Sequence, residues 1–289
     1  MDQNNNPHVV WMDNGIQYRR KSGSWLAPET VFSGSLAFDE IPRLLVNPLN
    51  QVHLLWVVTH GEYELLMHRY KRAPDGGWSQ TLQAVTEPYE VHFPSVFGDA
   101  QGNLHVAYSD RLDTTTSETY YLKFDGSSWE IPVRVTNTEK RDEFYSAIGV
   151  DSTGKIHIIS TTEPSLDGEA LEYSTHNGST WLPTEIIAED WTGEIHPRLI
   201  VDANDYLHLF WVHRTDNGDD LVYANHNRSH WSVSTSTPTL LRQEIEVSNS
   251  YPYQQLYNPM GIYRFSFWIE LVERTTTFCS IIQLKQTHS

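Results

Sequence analysis

The sequence predicts an all-β fold, a β-propeller of six blades, each a four-stranded antiparallel sheet. Three observations carry this. First, the stretch from Pro197 to Trp231 reads as three short apolar runs, Arg198 to Val201, Leu207 to Val212 and Leu221 to Ala224, separated by turn residues. A Trp then opens a fourth extended run, which completes one meander. Second, the same text recurs as PSVFGDAQGNLHVAYSD and YYLKFDGSSW, and again as SAIGVDSTGKIHIISTT and LEYSTHNGSTW. Third, the first-strand marker falls at Pro42, Pro94, Ser146, Pro197 and Pro252, a period of about fifty residues filled with strands, as propeller blades have.

The units follow in order. Unit one, about 1–41, enters late, because Asp2 to His8 aligns with Asp202 to His208, so its innermost strand is missing. It continues with HVVWMD, GIQYRR and WLAPETVF. Units 42–93, 94–145, 146–196 and 197–251 are complete, and unit six, 252–289, offers YQQLYN, IYRFSFWIELV and TTTFCSIIQLK without a fourth strand. The whole chain reads as a single propeller domain with incomplete terminal blades. Such ends fit excision from a larger parent protein, or an oligomer made through them. Five blades are the alternative, with the first strand of unit six completing unit one. The apolar run from Gly261 to Lys285 favours six, since an unpaired apolar tail is costly.

Composition narrows the partners. The chain has 289 residues, 20 basic against 37 acidic, a net charge of −17, which disfavours nucleic acid and anionic membrane surfaces. Cys279 is the one cysteine, so an intrachain disulfide and a thiolate metal cluster are both excluded. The start, MDQNNNPHVVW, has neither a basic nor an apolar leader region, so a soluble, cytoplasmic protein is the default expectation. No cofactor is expected, apart from the option of a divalent cation.

Several positions repeat. The second strand opens on His8, His53, His105, His157 and His208. Being equivalent, they stand in different blades, and each is expected to tie its strand to a neighbouring loop through a ring nitrogen. Three residues on come Trp11, Trp56, Tyr108 and Trp211. Wide side chains there fill the wedge between blades, with a sugar-stacking platform as the second reading.

The turn between third and fourth strands carries KSGSW, PDGGW, FDGSSW, HNGSTW and NRSHW. Gly, Asn and Asp suit its positive φ, and the Trp is expected to fold back on its hairpin. Ser174 to Trp181, STHNGSTW, resembles the SxDxGxTW box of the bacterial neuraminidase repeat (BNR, Asp-box) propellers, with His176 at the Asp position. The resemblance implies a propeller with these boxes on its outer rim, and it raises sialidase activity. That family is similar in using an arginine triad, a Tyr and Glu pair, an acidic Asp and an FRIP motif. Here Glu40 precedes Ile41 and Pro42, Arg43 follows, Arg198 follows Pro197, and no third arginine is evident.

The connections FDEIPR, YEVHFP, RDEFYS and GEIHPR lead from outer to inner strands and converge on one mouth. Catalytic candidates there are Glu40, Glu143, Glu194, His92 and His196. Glu90 with His92 and Glu194 with His196 are spaced by two, so in an extended segment each pair shares a face. They are the candidate metal ligands, since carboxylate and imidazole hold divalent ions or run acid–base chemistry. Arg43, Arg198, Trp56, Tyr108 and Trp211 are the candidate ligand-binding residues. The leading expectation is a non-catalytic module that binds a protein or carbohydrate through an acidic face. The alternative is a carbohydrate-active enzyme, a glycoside hydrolase or polysaccharide lyase, built on two carboxylates or on a Tyr/His/Arg set around the axis.

Overall fold

A computed structural model describes residues 1–37, 40–61, 63–85, 90–110, 116–137, 142–162, 169–190, 194–215, 218–234 and 282–283. Five antiparallel meanders are present and no helix is among these residues. None of the described elements is a helix long and apolar enough to cross a membrane. The first sheet holds β1 (His8–Met12), β2 (Ile16–Ser22), β3 (Ser24–Trp25) and β4 (Glu29–Phe32). The second holds β5 (Arg43–Val46), β6 (Val52–His60), β7 (Tyr63–Lys71) and β8 (Leu82–Gln83). Next come β9 (His92–Gly98), β10 (Leu104–Asp110), β11 (Glu118–Phe124) and β12 (Val133–Arg134), followed by β13 (Glu143–Val150), β14 (Ile156–Thr162), β15 (Glu169–His176) and β16 (Glu185–Asp190). The fifth holds β17 (Glu194–Val201), β18 (Leu207–Thr215), β19 (Gly218–His226) and β20 (Trp231–Ser234).

The first strands β5, β9, β13 and β17 touch in succession, so the sheets radiate from a shared hub as propeller blades. Two glycines let these inner strands approach. A Cβ on Gly98 would meet the Asn47 Cβ at 3.1 Å, and one on Gly149 would meet the Val201 side chain at 2.6 Å. Between blades lie separate apolar layers, such as Leu54 and Trp56 with Val10 and Tyr18, or Leu209 and Trp211 with Leu171 and Tyr173. Each layer is the seam between two sheets, which is why both faces of each middle strand are apolar.

Beside β1, at the place the sequence leaves unfilled, lies β21 (Ile282–Gln283), with Val9 opposite Ile282 and Val10 opposite Gln283. These two residues come from the end of unit six and run parallel to β1, while the first strand of unit six lies outside the described residues. The rest of unit six, including Gly261 to Ile281, lies outside the described residues.

The turn into each second strand follows one design. Asp99 Oδ1 accepts the Gln101 and Asn103 N–H groups at 2.9 and 2.8 Å, and Asp151 Oδ1 accepts those of Thr153 and Lys155 at 2.9 and 3.0 Å. Asp2, Asn47 and Asp202 repeat the pattern. The φ > 0 corner falls on Asn5, Asn50, Gly102, Gly154 and Asp205, residue types that tolerate it. The second carboxylate oxygen then takes the histidine Nε2, at 3.1 Å for His105 and 3.3 Å for His157. Nδ1 accepts a tyrosine hydroxyl from the third strand: His8 from Tyr18 at 2.6 Å, His105 from Tyr121 at 2.8 Å, His157 from Tyr173 at 2.7 Å and His208 from Tyr223 at 2.8 Å. The five histidines are thus tied to loops through a ring nitrogen, as their spacing predicts. Their tyrosine partners were not singled out from the sequence, although a Tyr in the third strand of four units was there to be aligned.

In blade two an Asn and a second histidine replace the acid and the phenol. Asn47 Nδ2 lies 3.2 Å from His53 Nε2, and His53 Nδ1 lies 3.1 Å from His68 Nε2.

The box tryptophans do more than close their hairpins. Trp181 meets His176 of its own turn with ring centroids 5.1 Å apart, and it also stands edge-on to Tyr121 of the preceding blade at 5.6 Å. Trp78 reaches back to Tyr18 at 5.1 Å, Trp129 to His68 at 5.3 Å and Trp231 to Tyr173 at 5.3 Å. Each blade is therefore clasped to the one before it at the tyrosine or histidine of that blade's ladder.

Candidate functional site

At the mouth end of three inner strands the ladder slips. The register breaks opposite Ala107/Ser109 on β10, and within Glu143/Ser146 on β13 and Ile195/Arg198 on β17. Such bulges re-aim side chains and cluster beside functional sites. The re-aimed residues are Phe93, Tyr145 and His196, each just before the Pro or Ser that resumes the strand. Phe93 has φ 50° and His196 φ 55°, although a residue before proline belongs in the extended region. Backbone held in this way costs on the order of 1–3 kcal/mol and persists only where the surroundings enforce it.

The enforcing contacts are visible. The Phe93 N–H donates to Glu40 Oε1 at 2.7 Å, and Glu40 is 3% exposed. The Tyr145 N–H donates to Thr161 Oγ1 at 3.1 Å, and Ser109 Oγ donates to the Phe144 carbonyl. The outcome is a row of rings across three blades. Phe93 and Tyr145 have centroids 4.5 Å apart, and Tyr145 and His196 stand 4.3 Å apart, inclined at 55°.

Charge is arranged unevenly around the row. Arg198, two residues after His196, is exposed to solvent, while the protein packed around it lowers its pKa. Its hydrogen bond goes from Nη1 to the Pro197 carbonyl at 2.8 Å, and no carboxylate pairs with it among the described residues. Arg43 instead straps two strands, donating Nε–H to Pro94 O at 2.6 Å and Nη1–H to Ile41 O at 2.9 Å.

Beside the row, a cleft of about 280 Å³ is lined by Thr59, Gly61, Tyr63, Glu64, Glu90 and His92. A parallel bridge sets Glu64 against Glu90, and Glu64 Oε2 lies 3.1 Å from His92 Nδ1. Burial, together with the charges of Glu40 and Glu90, pushes the Glu64 carboxyl up to about 7.

Sequence expectations fare unequally here. Glu90 and His92 do share a face, with buried Val91 between them turned inward. Glu40 is buried as the brace under Phe93, and its charge reaches Glu64 of the cleft. Glu143 is 0% exposed and sits opposite Thr162 in the ladder. The side chain of Glu194 lies outside the described residues. No group of three His, Cys, Asp or Glu side chains that could hold a metal comes together among the described residues.

Trp56, Tyr108 and Trp211, at 0%, 0% and 2% exposure, fill the seams between blades. The sugar-platform reading is corrected, since no ring face is open to a ligand. Phe93 and Tyr145 were missed. Their only local signal is an aromatic immediately before the residue that begins each inner strand.

No family model matches this chain, and no curated protein matches it. Among solved structures it is similar to a PL25 polysaccharide lyase, an ulvan lyase bound to -[GlcA(1-4)Rha3S]-, with TM-score 0.61 and 14% identity, covering 81% of this chain and 69% of that one. It is similar to a Penicillium chrysogenum α-L-arabinanase complexed with arabinobiose, with TM-score 0.52 and 10% identity, covering 78% and 80%. A Dyadobacter fermentans protein of unknown function gives TM-score 0.52 and 14% identity, covering 75% and 69%. Fold and neighbours together define the class of this protein as a β-propeller. At these identities the likeness is one of fold.

Proposed function

We propose that the protein is a carbohydrate-active enzyme that cleaves a uronate-containing polysaccharide by β-elimination. The observation that supports this most is the Tyr145–His196 pair, ring centroids 4.3 Å apart, with a solvent-exposed Arg198 two residues on that pairs with no carboxylate among the described residues. Elimination needs a cation at the sugar carboxylate, a base for the proton on the neighbouring carbon, and an acid for the departing oxygen. Arg198 binds the carboxylate and steadies the charge that grows on it. His196 takes the C5 proton, the freed electron pair forms the C4=C5 double bond, and the C4–O bond breaks. Tyr145 gives its hydroxyl proton to the leaving oxygen and regains one from His196 across their contact.

The net charge of −17 speaks against an anionic substrate less than it first suggests. Glu64 is drawn up to about 7 and so carries only part of its charge near neutral pH, which leaves the mouth less negative than its acid count. The ligands of two structural neighbours, -[GlcA(1-4)Rha3S]- and arabinobiose, are in keeping with a glycan. So is the likeness of the Ser174 to Trp181 turn to the BNR box, where Asn177 Oδ1 takes the Ser179 and Thr180 N–H groups at 3.0 Å each.

The test is a panel of uronate polysaccharides, ulvan, polygalacturonate, alginate and unsulfated chondroitin among them, followed by the ultraviolet absorbance of the unsaturated product. Tyr145→Phe and His196→Gln are expected to lower kcat by about 10²–10⁴, and Arg198→Ala to raise KM. New reducing ends without that absorbance would replace elimination by hydrolysis. Glycan binding with no cleavage would restore the non-catalytic module.

A further inference from the structure

The cleft beside the ring row has the makings of a sugar site of its own. Tyr63 stands at its rim with 42% of its surface exposed, in contrast to the seam aromatics. Glu64, Glu90 and His92 line the same cleft, Glu64 paired with Glu90 by a backbone bridge and its Oε2 lying 3.1 Å from His92 Nδ1. Burial and the charges of Glu40 and Glu90 push the Glu64 carboxyl up to about 7, and a carboxyl that holds its proton both gives and takes hydrogen bonds. Sugar hydroxyls demand that combination, and an open phenol ring offers a flat apolar face for the ring carbons. The cleft also adjoins the proposed cleavage point, because His92 and Phe93 are consecutive, with ring centroids 5.9 Å apart.

We propose that this cleft is a subsite for a neutral sugar next to the uronate, stacked on Tyr63, with its hydroxyls held by Glu64, Glu90 and His92. The proposal deepens the uronate-polysaccharide reading and rests on it for the position of the neighbouring uronate. It carries a specificity rule. A sulfated sugar or a second uronate in this cleft faces Glu90, so the preferred polymer alternates uronate with uncharged sugar.

The experiment is titration calorimetry with a desulfated glucuronate–rhamnose tetrasaccharide, its sulfated form and an oligogalacturonate of equal length, on wild type, Tyr63→Ala, Glu90→Gln and Arg198→Ala. Wild type is expected to bind the desulfated chain at least about tenfold more tightly than the other two, and Tyr63→Ala to lose about tenfold on it. Glu90→Gln is expected to narrow the gap by improving the two charged chains. Equal affinity for all three chains overturns the subsite, and so does a Tyr63→Ala variant that binds as wild type does. The parent reading fails separately: if Arg198→Ala leaves binding unchanged while Tyr63→Ala weakens it, the cleft stands and the uronate assignment falls.

Discussion

Phe93 holds φ 50° before a proline because its N–H has one fixed acceptor, the buried Glu40 carboxylate at 2.7 Å. Glu40 therefore acts through Phe93 as a positioning residue. Glu40→Ala is expected to destabilise the protein by about 2–3 kcal/mol, the loss of a charge-assisted bond at a strained residue, as read from urea denaturation. Glu40→Gln keeps an acceptor oxygen and should cost about half as much. Substrate affinity is expected to fall in Glu40→Ala as well, since Phe93 and Tyr145 lose their 4.5 Å packing.

At the scale of the element, the Asp-turn, histidine and tyrosine form one ladder within each blade. Asp151→Ala removes the acceptor for two backbone N–H groups and for His157. It is expected to cost about 2–4 kcal/mol, with less lost on substituting Asp202, whose histidine contact is longer at 3.5 Å. Trp181→Ala opens the seam to Tyr121 and is expected to cost about 3–5 kcal/mol.

These ladders were largely legible in the sequence. Turn residues, strand alternation and a His at one fixed position are local signals, and they repeat. The burial of Trp56 and Trp211 followed from the same logic, because a seam needs wide side chains. The row of Phe93, Tyr145 and His196 was not legible as a row. It depends on a register slip in each inner strand and on one blade standing next to another, and neither leaves a mark in the spacing of residues within one unit.

Across the whole molecule, the histidines make folding sensitive to acid. Burial holds His8, His53 and His157 at about 4, below the ordinary 6.5. The unfolded chain then binds protons that the folded one refuses, so stability is full above about 6.5 and drains away as the pH falls to about 4, by up to roughly 3 kcal/mol per histidine. Asp2, Asp99 and Asp151, held below 3.8, continue the loss at lower pH. Glu64, raised to about 7, has the opposite sign and gains stability on acidification between 4.5 and 7, but it is one group against three. Urea midpoints measured from pH 7 to pH 4 should therefore fall steadily, and a His157→Phe variant, which has no proton to take up, should show a shallower fall whatever its stability at pH 7.

The clasps made by Trp78, Trp129, Trp181 and Trp231 all point the same way, each to the blade that precedes it in the chain. A polypeptide leaving the ribosome meets these partners in order, since every clasp closes on a sheet already synthesised. Assembly can thus advance stepwise during translation, and force measured on stalled nascent chains should rise in pulses about fifty residues apart, the length of one repeat unit.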